Sequence, residues 1–269
     1  MLRIRPSAVA GTFYPYPRQM LEREVGLLLE QASAASHGVT PKALIVPHAG
    51  YIYSGQTAAV AYASLSTLKN KINRVVLLGP VHRVIVRGLA LPGVDAFETP
   101  LGNVSLDKAA IQSISGMPQV TVSAAAHAQE HSLEVQLPFL QSVLGDFKLV
   151  PLAVGDATPA EVAAVLDKLW GGDETLIVIS SDLSHFLPYH VAQSVDQETV
   201  QSILDLNGPI SHDQACGGTP INGFIMAAER HHLRPQLLDY RNSGDTAGDK
   251  NRVVGYASFA FMEDEYHAS

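Results

Sequence analysis

A single cysteine, Cys216, stands in a chain of 269 residues, so an intrachain disulfide is impossible and a secreted, cystine-stapled scaffold is excluded. Charge is scarce too: 18 Lys and Arg against 26 Asp and Glu give a net charge of −8. The charges are interspersed, and no basic face or polybasic arm is present to hold nucleic acid. No run approaches the roughly 18 uninterrupted apolar residues of a membrane helix. The N-terminal stretch MLRIRPSAVAGTFYPYPRQM breaks on Pro6, Gly11, Pro15 and Pro17 where a signal peptide would carry its apolar core. A cytoplasmic protein with neither nucleic acid nor membrane as partner is expected. GxGxxG, the P-loop and the GxSxG elbow are also missing, and with them the signatures of dinucleotide, nucleoside-triphosphate and standard serine-hydrolase chemistry.

What is there is an alternation of short apolar runs and helical patterns, without repeats and with only the Ala/Ser-rich QASAASHG as a biased segment. Strand-like runs are Ala43–Pro47, Arg74–Gly79, Gly88–Leu91, Lys148–Val154, Thr175–Ser180, Gln236–Tyr240 and Val253–Phe261. Several are apolar on both faces, as strands covered by helices on each side are. Helical patterns fall at Arg18–Gln31, Gly55–Ser64, Leu106–Ser113, Ser132–Leu144, Pro159–Trp170, Val191–Leu206 and Gly223–His231, with Thr158 as an N-cap before Pro159. The expectation is one α/β domain over residues 1–269, with a largely parallel or mixed central sheet flanked by helices.

In such sheets, sites form where strands end and loops turn into helices. His48 follows ALIVP, and His82 follows VVLLGP. Asp182 and His185 follow TLIVIS, and Cys216 precedes two glycines and a helical pattern. Imidazole and thiolate are ligands for Zn²⁺, Fe²⁺ or copper. Each residue also has a plainer reading: a hydrogen-bonded loop histidine, a buried thiol, or a cap at Asp182 for a helix beginning near Ser184. HAQEHSLEVQLPFL adds His127 and His131 four apart, with Glu130 and Glu134 likewise; on a helix each pair would share a face. The HxxEH order is a short match to inverted zincins, and a helix start rich in Glu and His reads equally well. Asp245 and Asp249, in a Gly-rich loop, either reach a site or a cation or form turns.

In order along the chain, GTFYP, PHAGYIYSG, LLGPVHR, EHSLEVQLPFLQ, SSDLSHF, ACGGTP and SGDTAGDKNRVVGYASF resemble the motifs of the Memo family, described in prokaryotes as protein B of the AmmeMemoRadiSam system. The resemblance runs from Pro6 to Phe261. It implies an α/β domain similar to the LigB-type class III extradiol ring-cleaving dioxygenases, with a metal pocket. By position in the motifs His48, His82 and Cys216 match the metal ligands, iron being the first expectation and copper or zinc the alternatives. Asp182 and His185 match the further polar pair, His185 falling where the dioxygenases place an acid–base histidine, and His131 joins them as a further candidate catalytic residue. Those dioxygenases hold Fe(II) with two His and a carboxylate, whereas a thiolate at Cys216 changes metal preference and potential. Likeness of fold therefore does not carry the activity across.

Three readings follow. One is a metal-dependent redox enzyme acting on an unknown small molecule. Another is a non-catalytic module that uses the pocket for a peptide, an anion or a partner protein. The third is a zinc hydrolase with His185 as general base. The resemblance further implies a radical-SAM protein and an Ammecr-type protein as partners.

Overall fold

The computed structural model describes residues 2–33 and 40–263, so QASAASHG lies partly outside them. The order is β1 (Ile4–Arg5), α1 (Arg18–Ala32), β2 (Ala43–Val46), α2 (Tyr51–Ala63), β3 (Arg74–Pro80), β4 (Leu89–Leu91), β5 (Ala96–Thr99), β6 (Gly102–Ser105), α3 (Lys108–Ile114), β7 (Val120–Val122), α4 (Ala124–Ala128), α5 (Leu137–Leu144), β8 (Lys148–Val154), α6 (Pro159–Leu169), β9 (Thr175–Ser180), β10 (His185–Leu187), α7 (Tyr189–Leu204), α8 (Gly218–Arg230), β11 (Arg234–Asn242) and β12 (Val253–Met262).

Nine of the described strands form a mixed sheet in the order β10-β12-β2-β9-β3-β8-β4-β7, with β11 on β12; β1, β5 and β6 make a small second sheet. The centre, β2-β9-β3-β8, is parallel throughout. It is flanked by β12 antiparallel to β2 and by β4 antiparallel to β8. Both faces of this centre are covered. Leu44, Val46, Val75, Leu77, Leu176 and Val178 enter the core with α1, α2 and α5. Their neighbours Ala43, Ile45, Val76, Leu78, Ile177 and Ile179 enter the core with α3, α6 and α8. Hence the continuous apolar runs: each residue of such a strand buries its side chain on one face or the other. No helix among the described residues is long and apolar enough to cross a membrane.

The α6 start is as expected: Thr158 Oγ1 accepts from the Glu161 N–H at 3.2 Å, and Glu161 Oε2 accepts from the Thr158 N–H at 2.8 Å. One expected helix and two of the alternative readings do not hold. Ser132–Leu144 is not one helix but a 3-10 turn at Glu134–Gln136 followed by α5. Pro138 stands in the first turn of α5 and has no N–H to give to the Glu134 carbonyl, while the fully buried Glu134 side chain accepts from the Ala8 and Val9 N–H groups, the Tyr14 hydroxyl and the Arg5 guanidinium. His127 and His131 do not share a helix face either, because α4 ends at Ala128. And Asp182 caps nothing: β10 follows it, and its Oδ1 accepts from the His48 N–H at 2.7 Å.

Candidate metal centre

Parallel strands end on one edge of a sheet, and with β9 between β2 and β3 the residues just beyond these three ends face one another. His48 leaves β2, His82 leaves β3, and Asp182 leaves β9. The loop ahead of α5 adds His131. It lies against β3 because Gly79 has no side chain, where a Cβ would stand 2.7 Å from Ser132 Oγ. Ser132 Oγ donates to the Pro80 carbonyl at 2.9 Å, tying loop to strand.

His48, His82 and His131 each offer a ring nitrogen, all within 4.8 Å of one another. The ring centroids are 5.2 Å apart for His48 and His82, 5.3 Å for His48 and His131, and 4.6 Å for His82 and His131. Hydrogen bonds fix two of the three tautomers. Ser180 Oγ has one proton, which goes to the Ser132 carbonyl at 2.6 Å. Its contact with His48 Nδ1 at 2.9 Å must therefore be donated by the imidazole, which leaves Nε2 with a bare lone pair. His82 Nδ1 lies 2.8 Å from Glu130 Oε1, and a carboxylate only accepts, so Nδ1 carries the proton and Nε2 is the bare nitrogen of the neutral ring. A histidine pinned through Nδ1 by an outer partner is the arrangement of metal-ligating imidazoles, and these side chains fit a transition-metal ion.

The charge states agree. Burial, reinforced by the two neighbouring imidazoles, pushes His48 well below the usual histidine range; burial and His82 lower His131. Both are neutral, as ligands must be. Burial would raise the Glu130 carboxyl, but hydrogen bonds from the His82 ring and the N–H groups of Ser132 and His82 win and hold it at about 2. Glu130, missed as anything but a motif letter, is thus an ionised anchor.

Cys216 sits beside this trio. Its Sγ is 3.3 Å from His48 Nε2, but it does not belong to the group of mutually close ligand atoms. Without a metal, burial and the nearby Asp182 push its thiol up to about 12, so it is a thiol and not a thiolate. Burial likewise raises Asp182, against the opposing pull of His185 and of the His48 N–H. His185 donates Nδ1–H to the Leu183 carbonyl at 2.9 Å, which leaves its Nε2 as the nitrogen that can exchange a proton. A cleft of about 440 Å³ opens beside the trio, lined by His82, Arg83, Ile85, Asp156, His212 and Cys216 among others.

The remaining candidates lie elsewhere. His127 is buried apart from the trio, donating Nε2–H to the Ala90 carbonyl at 2.7 Å. Asp245 accepts from the Tyr189 hydroxyl at 2.5 Å and the Asn242 N–H at 3.0 Å, and Asp249 from the Asn251 N–H at 2.7 Å; both shape turns. Ser180, which sets the tautomer of His48, was missed because serines at strand ends carry no distinguishing pattern.

The family profile of Memo-like protein matches residues 5–260. The MEMO1 family protein of Aquifex aeolicus is 37% identical, the match covering 97% of this chain and 100% of the relative. That of Ignicoccus hospitalis is 36% identical over 96% of this chain and 98% of the relative. That of Methanosarcina barkeri is 35% identical over 95% and 98%.

Proposed function

Because the chain belongs to the Memo-like protein family, we propose that it is a metal-dependent redox protein whose metal is held by His48, His82 and His131, with Cys216 beside them. The observation that carries this reading is the pair of bare Nε2 lone pairs on His48 and His82, each enforced by a partner on Nδ1. His131 supplies the third nitrogen by proximity; the family pattern supplies Cys216 instead, and both touch or approach His48. Iron or copper in this site would bring a one-electron couple and Lewis acidity.

The protein's own groups do the rest. Glu130 holds His82 in the ligating tautomer and stays ionised while doing so. His185 Nε2 gives or takes a proton, and Asp182, buried next to His48, holds the backbone of the His48 loop. The adjoining cleft receives a small molecule whose reacting atom lies by His82 and Cys216.

The test is metal analysis of protein purified anaerobically without a metal-affinity tag, beside His48→Ala, His82→Ala, His131→Ala and Cys216→Ser. Near-stoichiometric iron or copper, lost in the histidine variants, supports the reading. Zinc in its place transfers the site to hydrolysis, and metal absent from every protein transfers it to a binding module.

A further inference from the structure

His131 differs from the other two imidazoles in one respect. Ser180 pins His48 and Glu130 pins His82, but His131 Nδ1 lies 3.4 Å from Glu130 Oε1 as an ion-pair contact only. Its ring is placed by other rings. Two belong to the fellow histidines, and the third is Phe13, with centroids 4.7 Å apart and planes tilted 48°. Phe13 also touches the His48 loop, since its carbonyl accepts from the Tyr51 N–H at 2.8 Å. One residue near the N-terminus thereby joins the segments that carry two of the three imidazoles.

The segment around Phe13 is itself anchored to the His131 loop. Arg5 Nε donates to the His127 carbonyl at 2.8 Å, its Nη2 donates to the Glu130 carbonyl at 2.6 Å, and the same guanidinium pairs with the buried Glu134. From the other side, Glu134 collects the Ala8 and Val9 N–H groups and the Tyr14 hydroxyl. Residues 5–14 are thus a strap across the back of residues 127–134.

We propose that Phe13 is a positioning residue of the metal centre, holding the His131 ring in register with those of His48 and His82, while Arg5 fixes the backbone that carries it. This rests on the metal reading above. Phe13 is half-buried at the margin of the core that α1, α2 and α5 share, so the thermal midpoint is followed to separate lost packing from lost metal binding. The tilted ring contact is what Phe13→Tyr keeps and what Phe13→Leu and Phe13→Ala remove.

The experiment uses the full chain, stripped of metal and titrated with Co²⁺, whose visible absorption reports its coordination number and geometry. Loss of Co²⁺ to EDTA and the thermal midpoint are followed in parallel. Phe13→Ala and Phe13→Leu are expected to bind Co²⁺ about ten-fold more weakly, with a changed absorption band and faster loss to EDTA; Phe13→Tyr stays within about two-fold of wild type. Phe13→Leu carries the comparison on its own if Phe13→Ala does not fold. Wild-type affinity and spectrum in Phe13→Leu overturn the inference, and so does a His131→Ala protein that binds as wild type. Wild-type protein that takes up no Co²⁺ overturns the metal reading itself.

Discussion

Glu130 Oε1 accepts the Nδ1–H of His82 at 2.8 Å, and the same oxygen accepts the backbone N–H groups of His131 and Ser132, each at 2.9 Å. Glu130 Oε2 takes the His82 N–H at 2.7 Å. One carboxylate therefore sets the tautomer of one imidazole and the loop of the next. Glu130→Gln keeps the shape but offers an amide N–H₂ where two acceptors were needed. With its oxygen on the three donors of Oε1, the amide turns its N–H₂ against the His82 backbone N–H and, being neutral, holds the imidazole N–H less strongly. Metal affinity is expected to fall about 10- to 100-fold, the range for outer-sphere partners, with the far-ultraviolet dichroism unchanged. Isothermal titration with Zn²⁺ checks it, and unchanged affinity refutes it.

Ser180→Ala removes a hydroxyl with three partners: the Ser132 carbonyl, Gln136 Nε2 and His48 Nδ1. Buried groups left without partners cost about 1–3 kcal/mol. A lower urea midpoint together with weaker metal binding is expected. Loss of stability alone would mean that the tautomer of His48 is set by something other than this serine.

Acid should destabilise the protein through His127. It is buried, its Nδ1 has no partner, and burial lowers it from 6.5 to about 4. The unfolded chain binds this proton below pH 6.5 and the folded protein only below about 4. Stability is thus full above pH 6.5 and falls through the window down to about 4, by roughly 3 kcal/mol in all. Urea unfolding at pH 7 and pH 5 tests this against His127→Phe, in which the pH dependence shrinks.

Gly255 lies under the buried carboxylate of Asp196: a Cβ there would stand 2.0 Å from Asp196 Oδ2. Asp196 Oδ1 meanwhile accepts from the Ser184 N–H at 3.0 Å, next to His185. Gly255→Ala is expected to cost on the order of 3 kcal/mol, the range of forced overpacking. Asp196→Ala should restore part of that loss in the double variant. Strict additivity of the two changes in urea unfolding would remove the steric explanation.

The fold class and the strand ends were legible because both faces of β2, β3 and β9 are covered, so their runs are apolar throughout, and because the polar residues next in sequence fall at the sheet edge. The identity of the trio was not legible. Helical periodicity paired His127 with His131, but α4 ends at Ala128, where the His127 and Glu130 carbonyls accept from Arg5, a residue more than 120 positions away. His127 turns to the Ala90 carbonyl and Phe97, and His131 joins His48 and His82. Phe13 and Ser180 act through a ring face and a single lone pair, for which no residue pattern exists. The strands β5, β6 and β7 escaped because runs of three or four residues with exposed positions carry too little alternation.

The place of β9 between β2 and β3 also sets an order in time. Ala43 pairs with Ile177, and Arg74 with Thr175, so the strands bearing His48 and His82 have no direct ladder to each other. A nascent chain that has emerged only as far as residue 170 carries all three imidazoles but lacks the strand that spaces them. Closing these distant pairings is slow, because the loop entropy is paid before any contact forms. Within that length Glu130 can already tie His82 to the His131 loop, but His48 takes its place beside them only once β9 has paired with both β2 and β3.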